Sequence, residues 1–200
     1  MIFKKFRHFL IRLLDSTIYN DWITYNSFPR GTIEFAREKF GNKLLSGVEI
    51  GAGEGSNAES ILETLNMKIL FLIDPYEPYI DDGQLINTYD NILPLTKERL
   101  SKFVEKIKFL LKKSNMAITD IPNDLDFVYI DGCHTYEFVK RDIALYYPKV
   151  RKGGIFGGHD YPMFGVQKAV NELVKEKDLK LHLKEPDWWV EKKLEIENND

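Results

Sequence analysis

Three glycines at alternate positions, Gly51, Gly53 and Gly55, follow directly on an apolar run at residues 44–50, and helix-compatible sequence continues from Ala58 to Leu65. That order predicts a strand, a tight glycine turn and a helix. Glycine reaches positive φ without a steric penalty and lets a ligand approach the backbone closely. A helix starting there aims unpaired N–H groups at whatever lies over the turn. The stretch 48–57 is therefore expected to be a cofactor-binding loop, and the rest of the chain has to fold around a strand–turn–helix unit.

Hydrophobic patterning extends the unit. Pro29 and Gly31 open a helix to about Phe40, stopped by Gly41-Asn42. Further strands are expected at 68–73, 108–111, 125–130, 155–158, 179–183 and 188–192. Helices are expected at about 96–105, 136–147 and 166–175, and a long polar and aromatic loop at 75–93. Strands alternating with helices predict a mostly parallel α/β sheet covered on both faces. Ligands in such sheets bind beyond the carboxyl ends of the strands, near the switch in strand order. Glu49, Asp74, Asp131, His159 and Asp160 all fall at or beside predicted strand ends. Five such ends carrying carboxylates and imidazole predict one site.

The glycine spacing alone leaves the cofactor open. The dinucleotide fingerprint is G-x-G-x-x-G with an acid about 20 residues later. Here the spacing is one residue shorter, Ser56 replaces the last glycine, and Glu49 lies inside the strand. Asp74 closes the second strand, where it can accept hydrogen bonds from both ribose hydroxyls.

The run Val48-Glu49-Ile50-Gly51-Ala52-Gly53-Glu54-Gly55 resembles motif I of the class I S-adenosylmethionine-dependent methyltransferases. Over residues 44–192 the resemblance implies a Rossmann-like, doubly wound, mostly parallel seven-stranded sheet. It implies S-adenosylmethionine at Glu49, Gly51, Gly53, Gly55, Ser56 and Asp74, with Ser114 near the adenine and Asp131 beside the cofactor. Asp126-Phe127-Val128-Tyr129-Ile130-Asp131-Gly132, His134, Tyr136, Asp142, Gly153-Gly154 and His159-Asp160-Tyr161 are similar to one branch, the small O-methyltransferases of sugars and natural-product glycosides (methyltransferase family 24-like). That branch implies a divalent cation, Mg²⁺ or Mn²⁺, at Asp131, His159 and Asp160. His159 departs from the usual carboxylate, and imidazole favours transition metals over Mg²⁺. His159 could equally serve acid–base chemistry without a metal. By the same resemblance His134 is the expected general base and His159 the second candidate, since imidazole titrates near neutrality.

The implied function is O-methylation of a small hydroxylated or sugar-like acceptor. The rivals are a non-catalytic or regulatory cofactor-binding protein and an NAD-dependent oxidoreductase. Tyr76, Tyr79 and Tyr89 could stack on a sugar or simply pack the loop, Trp188-Trp189 are expected in the core, and Cys133 is expected to be a small buried residue. A net charge of −3 gives no reason to expect nucleic acid. The single cysteine suits a reducing, cytoplasmic compartment. Residues 1–28 form a separate segment in this reading. Ile2, Phe3, Phe6, Phe9, Leu10, Leu13 and Leu14 recur at helical spacing among Lys4, Lys5, Arg7 and Arg12. Such a basic amphipathic helix can pack on the domain, on a second subunit or on an anionic membrane surface. The methyltransferase-like domain then spans 29–194, and 195–200 is a polar tail.

Overall fold

The computed structural model describes residues 28–81, 83–86 and 92–193. The expected basic helix at 1–14, the tail at 195–200 and Tyr89 lie outside the described residues. Seven strands form one sheet. They are β1 (Leu45–Ile50), β2 (Met67–Ile73), β5 (Ile107–Leu110), β6 (Leu125–Ile130), β7 (Val150–Gly158), β8 (Leu181–Lys184) and β9 (Asp187–Glu191). Their order is β5-β2-β1-β6-β7-β9-β8. The first five run parallel, and β9 pairs antiparallel with both β7 and β8. The direction of winding reverses between β1 and β6, so the ligand crevice of the fold opens above that pair.

The central strands read as continuous apolar runs because both faces are covered. Val48, Ile50, Val128, Ile130 and Phe156 pack under α5 (Tyr136–Tyr146) and α6 (Phe164–Glu176). Leu45, Leu70, Leu72, Phe127 and Ile155 pack under α1 (Gly31–Phe40) and α2 (Ser56–Thr64). Trp188 and Trp189 are neighbours on β9 and therefore enter opposite faces, one in each core. Asp126, the one charge within β6, accepts from the Ser46 amide, Lys43 and Arg151. It ties the start of β6 to the strands beside it, far from the crevice.

Three expected elements differ. The helix expected at 96–105 is α3 (Ile92–Arg99) followed by a 3₁₀ segment, Ser101–Lys106. Leu100 at the break turns into the core while Val104 stays exposed, which ends the helical repeat. Strand β7 begins at Val150 and runs through Gly153-Gly154, where its pairing with β6 is irregular. A Cβ on Gly154 would lie 2.5 Å from Val150 Cγ1. Part of the expected loop at 75–93 is a hairpin, β3 (Tyr79–Asp81) and β4 (Gln84–Ile86), in which Asp81 pairs with Gln84. A short helix α4 (Ser114–Ala117) follows β5.

The indole of Trp188 is fully buried and its N–H donates to the His159 carbonyl at 3.2 Å. Trp188→Ala should cost about 3–5 kcal/mol, roughly 6–20 °C in Tm for a domain of this size. Thermal unfolding followed by circular dichroism checks this, and a loss below about 1 kcal/mol would mean that β9 does not depend on that ring.

Candidate active site

The strands place the site through backbone hydrogen bonds that continue one step past their ends. The Asp74 amide donates to Leu110 O, Gly51 to Ile73 O, Asp131 to Ile50 O and His159 to Ile130 O, at 3.3, 2.8, 2.8 and 3.0 Å. Each residue just beyond one strand is thus pinned to the last carbonyl of its neighbour. Gly51 has φ +87°, and a Cβ there would stand 2.0 Å from the Asp131 carbonyl oxygen. Only glycine permits β1 and β6 to remain this close where they diverge.

On one side of this row lies the glycine turn. Gly53 has φ +46° and a Cβ on it would meet no atom within 4 Å, so the turn faces open space. The Gly53 amide donates to Asp74 Oδ2 at 3.0 Å and the Tyr76 amide to Asp74 Oδ1 at 2.7 Å. The Gly53 carbonyl accepts from Thr96 Oγ1 at 2.7 Å and from the Tyr76 hydroxyl at 3.2 Å. Burial pushes the Asp74 carboxyl up despite those two amides. Glu49 is 1 % exposed. Its Oε1 accepts from Asn57 Nδ2 at 2.8 Å, while Oε2 has no hydrogen-bond partner. Desolvation raises this carboxyl to about 8. A buried carboxylate with one oxygen unsatisfied fits a cationic or hydrogen-donating ligand group. Ser56 starts α2. Ser114 is turned to a structural task, donating to Asp142 Oδ1 at 2.6 Å while its carbonyl accepts from Tyr146.

On the other side, Asp131, His134, His159 and Asp160 come together. His134 Nδ1 lies 2.5 Å from Asp81 Oδ2, and the His134 amide donates to Asp81 Oδ1 at 2.9 Å. His134 Nε2 is buried, lies 2.8 Å from Asp160 Oδ2 and makes no hydrogen bond. His159 Nδ1 stands 3.0 Å from Asp160 Oδ2 and 3.8 Å from Asp131 Oδ1. Burial lowers the His159 imidazole to about 4 and raises the Asp160 carboxyl to about 6, the latter helped by Asp187. At neutral pH His159 is therefore neutral and Asp160 ionised. Asp160 also sits at φ +58°, a conformation Asp tolerates better than most residues and one found at functional corners. Among the described residues, donor atoms of Asp131, His134 and Asp160 lie within 4.8 Å of one another, a grouping that could hold a metal ion.

Several participants were not visible in the sequence reading. Arg30, just before α1, donates from Nη1 to Asp131 Oδ2 at 2.6 Å and to the Tyr129 hydroxyl at 3.1 Å. Tyr129 in turn donates to Asp187 Oδ1 at 2.7 Å, and the Thr32 amide donates to Asp187 Oδ2 at 2.9 Å. Nothing in the local pattern distinguishes Arg30 from other basic residues, because its partners are about 100 positions away. Asp81 did leave a signal. Asp82-Gly83 is a two-residue hairpin turn signature, and the hairpin it closes delivers Asp81 to His134.

Residues 48–161 match the model of a family described as a methyltransferase domain. The chain belongs to that family. It is also 33 % identical, over 138 residues, to the uncharacterized protein R132 of Acanthamoeba polyphaga mimivirus. That match covers 66 % of this chain and 60 % of R132, so the chain spans under two thirds of its curated relative. Solved structures share the fold at low identity. An rRNA methylase from Streptococcus thermophilus superposes with TM-score 0.61 at 16 % identity, covering 84 % of this chain and 99 % of that one. The O-methyltransferase NovP gives 0.60 at 17 %, covering 81 % and 79 %. SMU.1697c from Streptococcus mutans, solved in complex with SAH, gives 0.60 at 13 %, covering 82 % and 98 %. No helix among the described residues is long and apolar enough to cross a membrane.

The buried acid of the methyltransferase domain sets a pH dependence. A carboxyl at about 8 when folded, against an ordinary 4.5, binds its proton more tightly in the folded state. Its contribution therefore declines as pH rises from about 4.5 to 8, by up to about 5 kcal/mol. Glu49→Gln should flatten that decline and leave the ligand-free domain more stable than wild type at pH 8. Urea unfolding at several pH values measures it, and an unchanged slope would show that Glu49 is ionised throughout.

Proposed function

We propose that this domain transfers a methyl group from S-adenosylmethionine to a hydroxyl of a small acceptor, with His134 receiving the hydroxyl proton. The observation that carries this reading is the state of the His134 ring. One nitrogen is held by Asp81, and the other, buried in the crevice above β6 and β7, makes no hydrogen bond and faces Asp160 Oδ2 at 2.8 Å. The two halves of the crevice divide the work. Glu49, the open Gly53 turn and Asp74 suit the cofactor's methionine end, its backbone contact and its ribose. When bound, the cofactor supplies a methyl carbon made electrophilic by the neighbouring sulfonium. On transfer the acceptor oxygen would take that methyl, the thioether would leave, and His134 would receive the hydroxyl proton. Alignment of the two reactants is worth about 7–11 kcal/mol in favourable cases, and a well-placed base roughly 10²–10⁴-fold in rate.

Charge supports a small acceptor over nucleic acid. The domain shares its fold with an rRNA methylase. Yet the chain is net negative, and Asp74, Asp81, Asp131 and Asp160 gather around the crevice with Arg30 paired to Asp131. A polyphosphate backbone would meet repulsion there.

The convergence of Asp131, His134 and Asp160 favours a second reading. Arg30 engages Asp131 through Oδ2, while Oδ1 stands 3.8 Å from His159 Nδ1. A divalent cation held by these three would lower the acceptor hydroxyl's pKa and replace the imidazole as the means of deprotonation. The mixed nitrogen and oxygen donors suit Mn²⁺ better than Mg²⁺.

Isothermal titration should show S-adenosylhomocysteine binding and no binding of NADH, and Asp74→Ala should weaken it by roughly 10–100-fold through the lost charge-assisted hydrogen bonds. NADH binding in place of the homocysteine compound would overturn the cofactor assignment. In a screen of hydroxylated acceptors with isotope-labelled methyl donor, His134→Gln should lower turnover about 10²–10⁴-fold without changing cofactor affinity. Thermal shift after EDTA and then MnCl₂ separates the two readings: a rise in Tm with Mn²⁺ that Asp160→Ala abolishes supports the cation, and no response removes it.

A further inference from the structure

The hairpin β3–β4 stands outside the seven-stranded sheet, in the connection between β2 and α3. Nevertheless Asp81 is 8 % exposed, on a hairpin whose Ile80, Leu85 and Ile86 are exposed. Both its oxygens are spent on one residue. Oδ1 accepts the His134 amide at 2.9 Å and Oδ2 meets His134 Nδ1 at 2.5 Å. The Cys133 thiol adds contacts to Asp81 Oδ1 at 3.4 Å and to the Ile80 carbonyl at 3.6 Å. From the opposite side the start of α6 closes on the same backbone: a Cβ on Gly165 would lie 2.3 Å from the His134 carbonyl. Main chain and ring of His134 are thus both clamped, and the ring has one nitrogen committed.

We propose that Asp81 is the positioning residue of the His134 imidazole: by accepting from Nδ1 it fixes the ring's rotamer and turns Nε2 toward Asp160 Oδ2, 2.8 Å away. The proposal rests on the reading of His134 as the proton acceptor. The chemistry follows from the bidentate contact. A carboxylate offers an acceptor to each of two donors, the amide and Nδ1–H. Nδ1 then donates its proton to Asp81, and the ring's other nitrogen, Nε2, faces Asp160 Oδ2 at 2.8 Å. Asparagine cannot reproduce this. It has one acceptor oxygen and one NH₂, so either the NH₂ faces the His134 amide and the clamp is lost, or it faces Nδ1 and drives the proton to Nε2. Asp81 acts through His134 and touches neither reactant in this scheme. The hairpin is thereby joined to the chemistry by a single side chain.

The test uses the full chain with a ¹⁵N-labelled imidazole and no acceptor. Wild type should show a His134 Nδ1–H resonance protected from exchange, assigned by its absence in His134→Gln. Asp81→Ala should abolish it, and Asp81→Asn should abolish it or move the ring proton to Nε2. Affinity for S-adenosylhomocysteine should stay within about threefold in both Asp81 variants, a change under 1 kcal/mol, showing that the glycine-turn half is intact. A protected Nδ1–H that persists in Asp81→Ala, or that wild type lacks, overturns the proposal. Loss of the resonance together with the fold's cofactor affinity would also overturn it, by assigning Asp81 to structure alone. Turnover of His134→Gln decides the base reading separately: if that variant remains fully active, the base assignment fails while the resonance still reports whether Asp81 holds the ring.

Discussion

The site depends on the continuation of the parallel ladder past the ends of the strands. Asp74, Gly51, Asp131 and His159 each give their amide to the last carbonyl of an adjoining strand. Those four bonds convert residues distant in sequence into one row with a common level. Parallel pairing makes this possible, because every strand end with its following turn emerges on the same edge. The reversal of winding between β1 and β6 then opens the row at its middle, and the missing Cβ of Gly51 lets the two strands stay in contact at that point.

Electrostatics divide the row into two halves. Around Glu49 desolvation dominates and favours a neutral carboxyl until a cationic partner arrives. Around Asp131 a built-in cation, Arg30, already balances the charge, and its attraction to Asp131 and Tyr129 keeps the guanidinium protonated despite burial. Tyr129 and Asp187 extend that balance to the edge strand β9. His159 and Asp160 are adjacent in sequence yet shift in opposite directions, the imidazole down and the carboxyl up, because burial penalises the charged form of each. The pair therefore stays a neutral ring beside a carboxylate near pH 7, and His134, clamped by Asp81, turns its other nitrogen toward that carboxylate at 2.8 Å.

Much of this was legible in order along the chain. The apolar run into Gly51, Gly53 and Gly55 predicted β1, its turn and α2, and Asp74 fell at the end of β2 as expected. Asp131, His159 and Asp160 were read correctly as strand-end residues. The errors came where local punctuation has two meanings. Gly153-Gly154 can separate a helix from a strand or lie within the strand, and only pairing with β6 shows which. The segment 75–93 has the polarity of a loop, and part of it is a hairpin because Tyr79–Asp81 finds a partner in Gln84–Ile86.

Periodicity, glycine spacing and strand-end acids by themselves determined that this chain is a parallel α/β domain with a cofactor turn after its first strand, since those features express local sterics and two-sided burial. Tertiary structure alone decided the partners. Arg30 meets Asp131 across 101 positions and Asp81 meets His134 across 53. Neither pairing leaves a periodic trace, because a charged side chain's role is set by the dielectric and the counter-charge that folding brings to it. The glycine turn says where a cofactor can lie; the long-range pairs of Asp81 with His134 and Arg30 with Asp131 arrange the chemistry opposite it.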